Sequence, residues 1–393
     1  MKKNKLAFIA ISYIKKYDGV SVYAENLLQE IINIVDERKK YLYIDVYVKG
    51  ESLSLLRSRI HIPKNLDKNI LDIRFIPVKG NNTITKTFYL TQLLYKNGEY
   101  DLVYMTNPMP VIFTPGPKIK TIHDFSFKVV PEYYSMVARL YSDFLRRISI
   151  KFDDAIGYIS KSSLEDFKKF YKVSEKNKKF IYLPNGIPFK ILKMRRPSIE
   201  SIEEKFNKNY LKIIVVGRIN RHKGFDRVLQ FVKYIDKIFQ RINLFDDIEV
   251  NIVGKQTSET NLILNGYFPN NVKLNFLGFL PDNELNKLYE ESHFCFFLSR
   301  NEGYGLPLIE SLWMRTIPIL SNIPIFREIM GEDYIFFSDK TGYDKAIYEF
   351  IEQIFKNKEY RMKIINKIDK IVEKEKNGYK IAAKNLLSFM GYL

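Results

Sequence analysis

The stretch Phe294-Cys295-Phe296-Phe297-Leu298-Ser299-Arg300-Asn301-Glu302-Gly303-Tyr304-Gly305-Leu306-Pro307-Leu308-Ile309-Glu310 passes from an unbroken apolar run, through a turn with two glycines, into a helix. Five consecutive apolar residues have strand length and no polar face, which is the pattern of a parallel sheet covered on both sides. Gly303 and Gly305 allow the backbone to come close to a ligand. Pro307 suits the start of the helix, where a missing N–H loses nothing. The amides of Gly305 and Leu306, at a helix N-terminus, favour a phosphate. Glu302 stands just outside that anion site and Glu310 one turn inside the helix. Two carboxylates beside a phosphate are costly unless they bind hydroxyls, and sugar and ribose hydroxyls are their natural partners. Read as a dinucleotide fingerprint the segment is a near miss, because the third glycine position holds Leu308 and the segment lies late in the chain.

Outward from this stretch, short apolar strands alternate with helices. Strands are expected at 5–12, 41–48, 72–78, 101–106, 118–123, 155–160 and 180–184, then at 211–217, 248–254, 272–277, 294–299, 317–321 and 334–338. The clearest helices are 20–37, 133–150 and 161–172 in the first half, and 224–240, 282–292, 306–315 and 342–356 in the second. Such alternation means doubly wound parallel sheets. The pattern restarts near Leu211, after Pro184-Asn185-Gly186-Ile187-Pro188 and Met194-Arg195-Arg196-Pro197. The expected division is therefore a domain at 1–190, a linker at 191–210 and a second domain at 211–375. The helical tail, 376–393, returns to the first domain in this reading. Two such sheets facing each other leave a cleft at the C-terminal ends of their strands, where ligands of these folds bind.

A second motif closes the first strand of the second domain: Val215-Val216-Gly217-Arg218-Ile219-Asn220-Arg221-His222-Lys223-Gly224-Phe225-Asp226. Gly217 gives room, and Arg218 and Lys223 bring two cations to the strand end. Arg can grip phosphate oxygens through its fork, while Lys acts as a point charge. A lone Arg and Lys on a loop are usually solvated surface. Their place at a strand end, in the same domain as the paired glutamates, argues for an anion.

Composition narrows the classes. A chain of 393 residues is long enough for two cores, and 46% hydrophobic residues place it among folded proteins. A single cysteine, Cys295, excludes an internal disulfide and a thiolate zinc cluster. The expected setting is cytoplasmic. Leu6-Ala7-Phe8-Ile9-Ala10-Ile11 reads as a buried first strand rather than a signal peptide. The net charge of +18 favours anionic partners without choosing among nucleic acid, phospholipid head groups and phosphorylated small molecules. No Asp-x-Asp occurs, and His61, His222 and His293 lack metal-ligand spacing, so no metal and no other cofactor is expected. His293 reads as a structural residue. The helix at 133–150 carries Val137, Leu140, Tyr141, Phe144 and Ile148 at helical spacing, flanked by Arg139, Arg146, Arg147 and Lys151. Core packing is the default for such a stripe, and a basic amphipathic helix on a membrane surface is the sharper alternative.

Together these residues resemble the retaining glycosyltransferases of family 4, which have the GT-B fold of two Rossmann-like domains facing a central cleft. Gly217-Arg218…Lys223-Gly224-Phe225-Asp226 and Glu302-x7-Glu310 carry the likeness. Asp18-Gly19-Val20-Ser21 is similar to the family's first glycine-containing loop. His123-Asp124-Phe125-Ser126-Phe127 matches its His-Asp element, and Tyr158-Ile159-Ser160-Lys161-Ser162-Ser163 its strand-Ser-x-x-Ser element. Leu183-Pro184-Asn185-Gly186-Ile187 and Phe276-Leu277-Gly278-Phe279-Leu280-Pro281, with Leu285 and Tyr289, extend it across most of the chain. The first loop has one glycine where many relatives have two. Trp313-Met314-Arg315 replaces small residues, and Tyr379 stands where a tryptophan is frequent.

The resemblance implies catalytic roles for Glu302, His123, Arg218 and Lys223. Arg218 and Lys223 would neutralise the donor diphosphate, Glu302 would contact the donor sugar, and His123 would reach the transferred sugar. It implies donor binding by Gly19, Gly217, Arg218, Lys223, Gly254, Leu280, Gly303, Gly305, Leu306 and Glu310, with Glu310 on the ribose. The expected reaction moves a sugar, GDP-mannose being the first donor considered, from a nucleotide diphosphate to a glycan or lipid-linked glycan of a surface polysaccharide. Its expected partners are the nucleotide sugar, that acceptor and an anionic membrane surface, with no nucleic acid. The location is then cytoplasmic, with peripheral attachment to the inner face of the plasma membrane. The rivals are a GT-B sugar-nucleotide epimerase and a non-enzymatic basic protein that binds RNA or membrane.

Overall fold

A computed structural model describes residues 4–13, 18–63, 66–67, 69–176, 178–239, 244–337 and 343–393. The element ends expected at 240, 338 and 342 lie outside the described residues. The chain forms two compact units, Met1–Phe189 with Lys376–Leu393, and Lys190–Glu375.

The first unit is built on β1 (Asn4–Ala10), β2 (Leu42–Lys49), β3 (Leu71–Val78), β4 (Leu102–Met105), β5 (Lys118–Ile122), β6 (Ala155–Tyr158) and β7 (Lys179–Tyr182). These form one sheet in the order β3-β2-β1-β4-β5-β6-β7, with every pair parallel. Leu6–Ala10 of β1 are wholly buried, as a central strand covered on both faces must be. The helix Gly19–Arg38 starts at Asp18, whose carboxylate accepts from the Ser21 amide at 2.8 Å. The helix Gly378–Phe389 belongs to this unit and buries Ala382, Ala383, Leu386 and Leu387. Gly378 lies so close to the Asn185 carbonyl that a side chain there would clash. Tyr379 packs on Tyr23, with ring centroids 6.1 Å apart, and donates to Asn185 Oδ1 at 3.4 Å.

The second unit is built on β8 (Tyr210–Val216), β9 (Asp247–Val253), β10 (Lys273–Gly278), β11 (Phe294–Phe297), β12 (Ile317–Ser321) and β13 (Phe336–Phe337). Their order is β10-β9-β8-β11-β12-β13, again parallel throughout. The order reverses between β8 and β11. That is where a doubly wound sheet opens a crevice at its strands' C-terminal ends. The stretch 191–210, expected as a linker, belongs to this unit. It carries the helix Ile199–Phe206, and Glu203 receives a bidentate bond from Arg361 at 3.0 and 2.8 Å. Asp369 receives Arg196 at 2.6 Å and Arg315 at 3.0 and 2.7 Å, which ties that stretch and the end of the helix Leu306–Trp313 to the helix Lys358–Glu375. The different packing after Glu310 thus has a cause: Arg315 occupies the left-handed region (φ 54°) and reaches Asp369.

One expectation is corrected. The stripe on the helix Met136–Phe152 is not core: Val137, Leu140 and Phe144 are 77%, 61% and 54% exposed, and Met136 and Tyr141 are exposed as well. Only Leu145, Ile148 and Ser149 are buried. Beside them Arg146 turns inward: its guanidinium lies 5.0 Å from the Phe127 ring and donates to the Asp124 carbonyl at 3.3 Å. The aromatic core of Phe125, Phe127 and Phe167 is closed without the stripe.

Candidate active site

The loops after β8 and β11 emerge side by side, because those strands pair directly across the reversal point. Gly217 ends β8 at φ 143°, a conformation that side chains other than hydrogen rarely adopt, and open space lies where a Cβ would point. Gly254 supports it from β9: its own Cβ would fall 1.9 Å from the Gly217 carbonyl oxygen. The loop then turns into the helix Phe225–Ile238 through Gly224, whose Cβ would meet the Leu298 carbonyl at 1.9 Å. After β11, Gly305 at φ 90° caps the helix Leu306–Trp313, in which Leu306 is the first residue and Pro307 the second.

Gly217, Arg218, Lys223, Glu302 and Gly305 line one hollow of about 60 Å³, walled by apolar side chains that include Val215, Phe297 and Phe326. Within it, Lys223 Nζ donates to Glu302 Oε1 at 2.6 Å, and Ser299 Oγ donates to the same oxygen at 2.8 Å. Lys223 is held by its backbone amide, which donates to Asn220 Oδ1 at 2.9 Å. Arg218 is exposed at the rim. The hollow therefore pairs a cation with a carboxylate, each able to exchange its partner for a phosphate or a hydroxyl. Ser299 is a further residue of this hollow that motif reasoning leaves without a role. Its signal was the i, i+3 spacing to Glu302 at a strand end.

Leu280, Gly303, Leu306 and Glu310 belong to the same unit but do not line the hollow. Glu310 is half-buried on the second turn of its helix. Burial pushes its carboxyl up to about 7, opposed by Lys190, reinforced by Asp282 and opposed by a Tyr289 hydrogen bond. Because its pKa is higher folded than unfolded, this group favours the folded state at low pH. That advantage fades as pH rises from the unfolded carboxyl value near 4.3 to about 7. The melting temperature of the wild type should thus fall over that range more than that of Glu310→Gln. Parallel profiles for the two proteins would show that burial does not raise this carboxyl.

His123 and Gly19 stand in the first unit. His123 Nε2 lies 2.7 Å from the Thr106 carbonyl, so that nitrogen carries the proton and Nδ1 is the acceptor. Burial lowers its pKa and keeps the ring neutral. The Tyr23 ring packs against it at nearly a right angle, centroids 5.0 Å apart. Gly19 is exposed in the first turn of its helix. His293, read as structural, accepts from the Lys212 amide at 3.1 Å and meets the Lys205 carbonyl at 3.1 Å, deep in the second unit. Among the described residues no three His, Cys, Asp or Glu side chains gather where they could hold a metal ion, and no helix is long and apolar enough to cross a membrane.

Residues 198–371 match the model of the glycosyl transferases group 1 family. The chain is 32% identical over 158 residues to the serotype-specific mannosyltransferase WbdA of Escherichia coli, covering 39% of this chain and 19% of that protein. It is 26% identical over 238 residues to the O-antigen chain mannosyltransferase RfbU of Salmonella typhimurium, covering 60% of each. The chain thus spans under a fifth of the length of WbdA and three-fifths of that of RfbU. Among solved structures it is similar to Anabaena HepE in complex with UDP and glucose, at a TM-score of 0.66 and 16% identity over 99% of this chain and 100% of that one. It is also similar to WaaG, a glycosyltransferase involved in lipopolysaccharide biosynthesis, at 0.64 and 15% over 98% and 100%. At such identities the likeness speaks for the fold, two parallel-sheet α/β units of the GT-B class. On that fold, residues 198–371 carry the match to the group 1 glycosyl transferases.

Proposed function

We propose that the chain is a retaining glycosyltransferase of family 4 type, which moves mannose from GDP-mannose to a glycan or lipid-linked glycan of a surface polysaccharide. The observation that carries this reading is the Lys223–Glu302 pair at the reversal point of the second sheet, with Arg218, Gly217 and Gly305 around one hollow. In this reading Lys223 and Arg218 take the diphosphate, the amides of Gly305 and Leu306 assist, Glu302 binds the sugar and Glu310 the ribose. Gly254 and Gly303 shape the backbone, Leu280 faces the base, Gly19 meets the acceptor or phosphate and His123 reaches the transferred sugar. The acceptor attacks the face that the diphosphate leaves, within a tight ion pair, so the anomeric configuration is kept. Two mannosyltransferases among the similar proteins support the sugar. The HepE complexes with UDP make the uracil base the competitor to test.

A thermal-shift panel of GDP-mannose, UDP-glucose, GDP and UDP, each with and without EDTA, tests the reading. A ligand at 100 times its Kd stabilises by about 2.7 kcal/mol. GDP-mannose and GDP should raise the melting temperature equally in EDTA. No shift with any of the four ends the proposal, and a shift that requires added Mg²⁺ or Mn²⁺ ends its metal-independent form.

The proposal extends to a peripheral place on an anionic membrane, carried by the exposed Val137, Leu140, Tyr141 and Phe144 beside the exposed Arg139, Arg147 and Lys151. Apolar side chains enter the interface while cations meet lipid phosphates. Flotation with anionic vesicles should fall as salt rises from about 0.1 M to about 1 M, where the screening length shrinks from about 10 to about 3 Å. Equal flotation with neutral vesicles, or unchanged flotation of Leu140→Ser with Phe144→Ser, would remove this part.

A further inference from the structure

Two hydrogen bonds join the halves of the candidate donor site at a point outside its lining. Arg300 Nη1 and Nη2 donate to Asp226 Oδ1 and Oδ2 at 2.8 and 2.6 Å, a bidentate fork with both side chains mostly buried (21% and 24% exposed). Asp226 lies in the first turn of the helix that follows Lys223 and Gly224, and Arg300 lies two residues before Glu302. The backbone repeats the connection. The Arg300 amide donates to the His222 carbonyl at 3.0 Å, Arg300 Nη1 also reaches the Arg221 carbonyl, and Arg227 Nη1 donates to the Leu298 carbonyl at 2.9 Å. Gly224 permits this contact because any side chain there would strike Leu298.

We infer that Asp226 and Arg300 are a positioning pair that fixes Lys223 against Glu302, so that donor diphosphate and sugar meet groups already at their working separation. The inference rests on the donor reading above. A planar fork sets both distance and orientation, which a single charged contact does not. The precision matters, since a misplacement of about 1 Å can cost on the order of a hundredfold in rate. Asp226 also sits where a helix N-terminus favours an acid, so its negative charge alone has a simpler explanation. Arg300 lies on the loop after β11, away from any helix end, so its substitution is the discriminating one.

The test uses the full chain as wild type, Arg300→Gln, Arg300→Lys and Asp226→Asn, each alone and combined with Lys223→Ala. Titration calorimetry with GDP and with UDP reads affinity, and amide exchange reads the Gly224 and Phe225 amides, which are bonded to the Arg221 and Asn220 carbonyls. Arg300→Gln and Asp226→Asn should each weaken the better diphosphate by about tenfold or more, with Arg300→Lys in between. In the Lys223→Ala background the same changes should add less than about twofold, because the cation they position is gone. Both amides should exchange faster while the interior of the helix Phe225–Ile238 stays protected. The inference is overturned if Arg300→Gln keeps wild-type affinity, if only Asp226→Asn matters, or if the losses are undiminished without Lys223. Should the wild type bind neither diphosphate, the proposed function falls. The pair is then judged on exchange alone, and unchanged exchange in Arg300→Gln and Asp226→Asn overturns it.

Discussion

Lys223→Ala is expected to lower kcat/KM by about 10²- to 10³-fold, or roughly 3–4 kcal/mol of transition-state stabilisation, with the fold retained. In the proposed reaction negative charge grows on the leaving diphosphate as the sugar–phosphate bond breaks, and a fixed cation is worth most where charge is developing. Lys223 is fixed on both sides, by its amide on Asn220 and its ammonium on Glu302. Arg218 is exposed at the rim and keeps more of its hydration, so Arg218→Ala should follow in the same direction with a smaller loss. Lys223→Ala also takes the ammonium from Glu302 and leaves the Ser299 hydroxyl on it, so part of the cost falls on the sugar side. Steady-state kinetics with the donor found in the thermal panel provides the check. Wild-type kcat/KM in both variants would remove these cations from the reaction.

Glu302→Gln is expected to lower kcat strongly, whereas Glu310→Gln should chiefly weaken donor binding. The two carboxylates belong to one motif, but their surroundings differ. Glu302 lines the hollow and answers to a lysine and a serine. Glu310 lies outside the lining, on the helix, with its charge suppressed by burial. A carboxylate at the reacting end can stabilise positive charge developing at the anomeric carbon, and that interaction is strongest in the transition state, so it appears in kcat. A carboxylate that holds the ribose binds ground state and transition state alike, and its loss appears in KM and in diphosphate affinity. Gln keeps the volume and much of the hydrogen bonding, which isolates the charge. Near-normal kcat in Glu302→Gln, or normal diphosphate affinity in an inactive Glu310→Gln, would show the roles to be misassigned.

The sheets were readable because their strands are short and several hold unbroken apolar runs. Phe294–Phe297 and Leu6–Ala10 leave little choice but burial on both faces. Helices without such a signature were harder. Thr83–Lys96 is rich in β-branched and aromatic residues, and its identity depends on the capping box at Asn82. The stretch 191–210 resembles a linker in its prolines and charges. Those charges are used inward, with Arg196 on Asp369 and Glu203 on Arg361. The helix Met136–Phe152 shows the limit of periodicity, which identifies an apolar face without saying what covers it. At the site, the motifs supplied Lys223 and Glu302 but not their mutual bond. Nor did they supply the Asp226–Arg300 fork, because residues 74 positions apart meet only through the β8–β11 pairing.

The first unit is discontinuous, and this sets an order of events during synthesis. Residues 1–189 leave the ribosome without the segment 376–393 that completes them, while the second unit is contiguous. Until the last helix arrives, the helix Gly19–Arg38 lacks the neighbour that covers one of its faces, and the backbone at Asn185 lacks its contact with Gly378. At about 5–20 residues per second, the wait lasts roughly ten to forty seconds. The half of the molecule made first is therefore the last to close. Ending the chain at Glu375 would leave the group 1 domain whole and strip the first unit of buried side chains such as Ala382 and Leu386. Loss of residues 376–393 should thus be felt most in the unit built from residues 1–189.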